Sequence, residues 1–131
     1  MKNRGLLNAD IIREIAAAGH TQMIAIGDAG LPIPCGVRRI DLSVVQGVPA
    51  FADVLGAVCN ELVVEAYTYA EEAGPENPEV VKVMTEMMPG IPGRTVAHED
   101  FKILLQRANV VIRTGECSPY ANVILTAGVN F

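Results

Sequence analysis

Short apolar runs of strand length alternate with segments of helical period along the whole of this chain. Met23-Ile-Ala-Ile26, Val110-Val-Ile-Arg113 and Asn122-Val-Ile-Leu-Thr-Ala127 are apolar runs bounded by polar or glycine-rich stretches, which is the pattern of buried strands. Between such runs, Phe51, Val54, Leu55 and Val58 recur at the spacing of one helix face. Helices and strands alternating within 131 residues predict an α/β fold: one compact domain over residues 1–131, with a central β-sheet flanked by helices.

The local signals set the expected boundaries. A first helix begins near Asn8, a good N-cap, carries Ile11, Ile12, Ile15 and Ala16 along one side, and is expected to stop at a left-handed Gly19. His20 then precedes the strand at 23–26 and Asp28 follows it, inside the rigid loop Gly27-Asp-Ala-Gly-Leu-Pro-Ile-Pro34. Residues 38–45 read as extended, 47–49 as a turn and 50–59 as a helix. Residues 61–69 alternate, with Leu62, Val64 and Ala66 on one face and Glu61, Val63, Glu65 and Tyr67 on the other. A helix opens at Asn77-Pro78 and runs to about Met88, because proline suits a first helical turn. A short strand at 95–97, a helix at 99–108 and strands at 110–113 and 122–127 complete the alternation.

Charge excludes some classes of function. Ten Lys and Arg against fifteen Asp and Glu leave a net charge of −5, the wrong sign for a nucleic-acid footprint. Half of the residues are hydrophobic and 19% are charged, so the chain is neither disordered nor able to cover itself comfortably with charge. That excess points to contacts with other chains, and a homo-oligomer is expected. The uncharged stretches 15–27 and 117–131 are too short, and too interrupted by Gly, Pro, His and Asn, to cross a membrane. Cys35, Cys59 and Cys117 make no paired framework and no C-x-x-C spacing, as expected of reduced thiols in a cytoplasmic protein. The first ten residues carry charge, but Asn8 and Asp10 interrupt any apolar core, so no leader is expected.

A few residues stand out as carriers of chemistry. His20 sits at a helix-to-strand junction, where it is either a capping histidine or a proton-transfer group. Asp28, one strand away, could orient one ring nitrogen and leave the other free. The two lie at opposite ends of that strand, roughly 20 Å apart if it is fully extended. Contact would need a bend or a neighbouring chain. Asp28 is either an Asx-turn residue or a carboxylate at a strand end, where open α/β sheets place their ligand crevices. His98, before Glu99-Asp100 at a helix start, is unremarkable by itself. No short-range spacing such as H-x-x-x-H supports a metal site, and none is expected.

The segment Arg113-Thr-Gly-Glu-Cys-Ser-Pro-Tyr-Ala-Asn122 joins two apolar strands yet concentrates a guanidinium, a carboxylate, hydroxyls, a phenol and an amide. Desolvated sugar hydroxyls need both donors and acceptors, and such a segment supplies them. A loop satisfied internally, with Arg113 paired to Glu116, is the plainer alternative.

Taken together, several stretches resemble the ribose pyranase and fucose mutarotase family. They are Leu7-Asn-Ala-Asp10, Gly19-His-Thr21, Gly27-Asp-Ala-Gly-Leu-Pro-Ile-Pro34, Arg39-Ile-Asp-Leu42, Gln46-Gly-Val-Pro49, Val54-Leu-Gly56 and Asn60-Glu61. The closing block 113–125, with Ala127-Gly-Val129, completes the set and looks more like the ribose branch. Gln22 and Cys35 depart from the pattern, which has Asp and Lys there, and residues 73–94 look abbreviated.

The resemblance implies a cofactor-free isomerase interconverting the pyranose and furanose forms of D-ribose, in a ring-shaped oligomer, often a decamer of stacked pentamers, with sites at subunit interfaces. By position, His20 is the implied proton donor, and Asp28, His98, Tyr120, Ala121 and Asn122 are the implied sugar-binding residues. A mutarotase acting on fucose or another aldose, or a non-catalytic sugar-binding accessory of a ribose transport system, are the alternatives.

Overall fold

The structure, a computed structural model, describes residues 1–131. Six strands build one sheet: β1 (Met23–Gly27), β2 (Arg38–Asp41), β3 (Val64–Ala70), β4 (Gly93–Val96), β5 (Val110–Arg113) and β6 (Val123–Ala127). Their order is β2-β5-β1-β6-β3-β4. β2, β5 and β1 pair in parallel, as do β3 and β4, while β6 runs antiparallel to both β1 and β3. β6 is therefore the one reversed strand, and the carboxyl ends of all the others point to one end of the sheet.

Helix α1 (Ala9–Ala17) leads into β1, and four more lie between later strands: α2 (Phe51–Cys59), α3 (Ala73–Glu76), α4 (Pro78–Met87) and α5 (His98–Leu104), the last running into a 3-10 turn at Leu105–Arg107. Strand alternation splits the interior in two. Ile24 and Ile26 of β1, Val110 and Ile112 of β5, and Val123 and Leu125 of β6 join Ile11, Phe51, Leu55 and Met84 in the larger core. The intervening Ala25, Val111 and Ile124 meet Phe101 and Leu105 on the opposite face. Both faces are covered, which is why these strands read as continuous apolar runs rather than alternating ones. Burying a side chain such as Leu55 or Phe101 stabilises the fold by about 1.5–3 kcal/mol.

Capping follows the sequence at two helices. The Asn8 side chain accepts a hydrogen bond from the Ile11 N–H at 3.0 Å, and Asn77 does the same for Val80 at the start of α4, with Pro78 in its first turn. Elsewhere the structure differs from the expected boundaries. Helix α1 ends at Ala17, with an extended Ala18 as its cap, and the left-handed residue is Thr21 (φ 68°) rather than Gly19. The extended segment from Arg38 stops at Asp41, because the chain then turns back on itself through a bridge between Val45 and Val48. Strand β4 starts at Gly93, and α5 starts at His98.

The strand expected at 61–69 differs most. It begins at Val64, and its register slips: Val64 lies opposite Ala127 and Ala66 opposite Thr126, so Glu65 is an extra residue, a β-bulge. The slip switches faces. Val64 and Tyr67 therefore both pack on the larger core, which strict alternation would forbid.

Candidate functional site

The carboxyl ends of β1, β3, β4 and β5, with the start of the reversed β6, bring the expected ligand residues together. Asp28 follows β1, Glu72 follows β3, His98 follows β4, and Tyr120 to Asn122 enter β6. In open α/β sheets this end of the strands is where ligand crevices form.

Asp28 and Asn122 are paired twice, through backbone and side chain. The Asp28 N–H donates to Asn122 Oδ1 at 2.8 Å, and Asn122 Nδ2 donates to Asp28 Oδ2 at 2.9 Å. The Gly30 N–H donates to the other carboxylate oxygen, Asp28 Oδ1, at 2.9 Å. Asn122 is buried and Asp28 half-buried. Burial pushes the Asp28 carboxyl up from the ordinary carboxylate range, and the hydrogen bonds from Asn122 and Gly30 offset only part of that push.

His98 is fixed from three directions. Its backbone N–H donates to both carboxylate oxygens of Glu72 at 3.0 Å, and that bond chiefly holds the Glu72 carboxyl below its usual range. Its ring stacks on Phe101, with centroids 6.2 Å apart, and meets Tyr120 edge-on at 5.1 Å. Its Nδ1 is buried, and no protein group reaches it for a hydrogen bond. Tyr120 adopts a left-handed backbone (φ 55°) and Thr21 is the other non-glycine residue that does. The two strained residues of the chain thus fall at, or next to, residues implied in the chemistry. Ala121 is fully buried in the larger core, so only its backbone is available to a ligand.

The loop between β5 and β6 is held from within, but not as the plainer alternative supposed. Arg113 does not pair with Glu116. Its guanidinium reaches Asp41 Oδ2 at 3.0 Å, the Ser43 hydroxyl and the Ala29 carbonyl, so it ties the ends of β2 and β1 to β5. Glu116 instead accepts the Phe51 N–H at the start of α2 and the Ser118 N–H. The buried Thr114 hydroxyl donates to the Gly27 carbonyl at 2.8 Å, which anchors the base of the Asp28 loop. These ties hold the polar loop against the strand ends.

His20 is not part of this cluster. It precedes β1 at the opposite end of the sheet, and β1 alone spans about 17 Å. No bend brings His20 to Asp28 within one chain. Glu65 is the carboxylate beside it, with Oε2 at 2.7 Å from His20 Nε2. His20 borders an open groove of about 280 Å3, walled in part by Ile15, Val63 and Phe131. Gln22 closes the turn that carries His20, its Oε1 accepting the Gly19 N–H at 2.8 Å.

Sequence reasoning missed Glu65 and Glu72. Neither carries a local motif, since each acquires its role from a strand that is distant in sequence. No group of three or more His, Cys, Asp or Glu side chains is arranged to hold a metal ion. No helix is long and apolar enough to cross a membrane.

A mixed sheet covered on both faces, with a carboxylate, an amide, an imidazole and a phenol gathered at its strand ends, defines an α/β protein with one polar cluster at that end. The chain belongs to the RbsD / FucU transport protein family, whose model matches residues 1–130. It is 53% identical to the D-ribose pyranase of Paracidovorax citrulli and 49% identical to that of Symbiobacterium thermophilum, each over 131 residues covering 100% of both chains. Among solved structures it resembles Bacillus subtilis RbsD complexed with D-ribose, at a TM-score of 0.97 and 44% identity over 100% of both chains. It also shares the fold of the fucose mutarotase of Streptococcus pneumoniae, at a TM-score of 0.80 and 22% identity, covering 95% of this chain and 94% of that one.

Proposed function

We propose that this protein interconverts the pyranose and furanose forms of D-ribose by general acid–base ring opening and reclosure, with His20 as the proton donor, in support of ribose uptake and catabolism. The observation that carries this reading is the full-length identity of about half to D-ribose pyranases. The likeness to a ribose-bound relative at 44% identity supports it.

Ring opening delivers a proton to the ring oxygen while the anomeric hydroxyl loses one and the bond from the anomeric carbon to the ring oxygen breaks. A different hydroxyl then attacks the aldehyde and the proton traffic reverses. Imidazole donates and accepts at neutral pH. Positioned acid–base help of this kind typically contributes about 10²–10⁴-fold, enough for a reaction that already proceeds unaided.

Asp28, His98, Tyr120, the Ala121 backbone and Asn122 bind the sugar. Asp28 and Asn122 offer acceptors and a donor to its hydroxyls, and Tyr120 and His98 form a wall. Because His20 stands at the far end of β1, a second copy supplies it, and the working unit is a homo-oligomer with interface sites, a decamer of two pentamers. It works in the cytoplasm, without cofactor or metal.

Saturation transfer between the anomeric NMR signals of ribose tests the reading. We expect exchange with the wild-type protein, retained sugar binding with lost exchange in His20→Ala, and no effect of a chelator. No enhancement by the wild-type protein overturns the enzymatic reading and leaves a sugar-binding accessory. Faster exchange of fucose than of ribose moves the assignment to a mutarotase.

A further inference from the structure

The structure leaves one carboxylate outside the sugar cluster in direct contact with the proposed proton donor. We propose that Glu65 is the positioning residue of His20: it accepts the Nε2 proton, fixes the ring tautomer and orientation, and makes Nδ1 the atom that exchanges protons with the sugar. This rests on the reading of His20 as the proton donor.

Three independent features place Glu65 there. The first is the contact itself, His20 Nε2 to Glu65 Oε2 at 2.7 Å, within the range of a charge-assisted hydrogen bond. The second is the bulge. Glu65 is the extra residue of β3 against β6, and a bulge is a device that re-aims one side chain while the strand on either side keeps its pairing. The third is the space made for it. A β-carbon on Gly128 would lie 3.1 Å from the Glu65 Cβ and 3.2 Å from Val63 Cγ1, so the absence of a side chain at 128 lets β3 and its bulge close against the end of β6.

His20 is held just as deliberately on its own side. Its turn is closed by the Gln22 N–H donating to the Gly19 carbonyl at 3.1 Å and by the Gln22 side chain on the Gly19 N–H. The next residue, Thr21, is forced into the left-handed region, and its N–H donates to the Ala127 carbonyl at 2.8 Å. A β-branched residue at positive φ is a costly conformation that persists only where the surroundings impose it. Thr21 and Gly128 thus tie both partners of the pair to the end of β6.

The consequence is chemical. In a neutral imidazole one nitrogen donates and the other accepts, and the bond made by the first decides which. With Nε2–H committed to Glu65, Nδ1 is the nitrogen left to exchange a proton with the sugar. The paired carboxylate and imidazole share the logic by which a carboxylate orients the imidazole of a hydrolytic triad.

Steady-state exchange and 15N NMR of the His20 ring, on the full-length protein, test this with Glu65→Ala and Glu65→Gln beside His20→Ala. We expect Glu65→Ala to slow ribose exchange by about 10- to 100-fold with KM within about twofold, since Glu65 touches the imidazole and not the sugar. Its His20 ring loses the preference for the Nε2–H tautomer in the neutral form. Glu65→Gln, whose amide oxygen still accepts from Nε2, keeps that tautomer and recovers part of the rate. A wild-type tautomer in Glu65→Ala overturns the proposal, as does a change in KM at unchanged kcat. If Glu65→Ala does not fold, the Glu65→Gln tautomer decides alone: loss of Nε2–H there overturns the proposal, and its retention with a reduced rate supports it. The tautomer measurement needs no turnover. Full activity of His20→Ala would therefore overturn the functional reading while the ring nitrogens still decide the Glu65 contact.

Discussion

Asp28 and Asn122 lock one another through two hydrogen bonds, Asp28 N–H to Asn122 Oδ1 at 2.8 Å and Asn122 Nδ2 to Asp28 Oδ2 at 2.9 Å. The residues are far apart in sequence, and the pair joins the loop after β1 to the start of the reversed strand β6. It therefore ties the fold together at the end of the sheet that carries the candidate site.

Replacing Asn122 by Leu strands the Asp28 N–H and carboxylate together. We expect a stability loss of about 1–3 kcal/mol in urea unfolding, loss of ribose binding, and a further rise of the Asp28 carboxyl in a 13C titration. The sign of the pH dependence follows from that rise. A carboxyl raised in the folded state lets the native protein hold a proton that the unfolded chain has lost, so Asp28 lowers stability as pH climbs from 3.8 through its raised value. Relative to wild type, Asp28→Asn should gain stability across that window and level off above it.

His98 carries a buried Nδ1 that no protein group satisfies. His98→Phe keeps the packing on Phe101 and Tyr120 and removes that nitrogen, so the melting temperature should hold or rise while ribose affinity falls about 10-fold by calorimetry. A lower melting temperature with unchanged affinity would leave His98 a packing residue only.

Glu116 caps α2 through the Phe51 N–H and braces Ser118. Partial burial pushes its carboxyl up, but the hydrogen bonds from Phe51, Ser118 and Cys117 together outweigh that and hold it below its ordinary 4.5. Its contribution is then fully present above pH 4.5 and is lost as pH falls through the lowered value. Glu116→Ala should cost about 1 kcal/mol at neutral pH, and Glu116→Gln should flatten this part of the acid limb in pH-dependent unfolding.

Gly115 lies under the backbone of Val48, and a methyl group there would overlap the Val48 carbonyl. Backbone cannot swing aside as a side chain can. Gly115→Ala should cost about 1–3 kcal/mol or more, with faster hydrogen exchange at Gly47, whose N–H donates to the Gly115 carbonyl, and at Gly115, whose N–H donates to the Pro49 carbonyl.

A site shared between copies predicts complementation. His20→Ala and Asp28→Ala chains, each inactive alone, should regain exchange when refolded together, because mixed interfaces contain one intact pair. Light scattering should give a multiple of 13.9 kDa, and a 13.9 kDa particle would remove the shared site.

The sheet could be read in advance because its strands are buried on both faces: Ile24, Val111 and Leu125 lie in runs with no polar alternation to confuse them. Asn8 and Asn77 announced their helices because a cap is a local hydrogen bond, made within a few residues. The bulge at Glu65 left no such mark. Alternation from 61 to 69 looks regular in sequence, and the slip exists only relative to the register of β6.

The same division separates the site residues. Asp28 and the polar segment that holds Tyr120 and Asn122 stand out by residue type and place along the chain, whereas His98 was picked out only by the family resemblance. Which of them meet was decided by strand order. β6 enters between β1 and β3 in reverse, which carries Tyr120 and Asn122 to the end where Asp28 and His98 emerge and leaves His20 with Glu65 at the other. Local sequence determines what each segment can form, because caps, periodicity and turn chemistry act over a few residues. Pairing between strands distant in sequence determines which side chains share a space, and only the tertiary structure settles that.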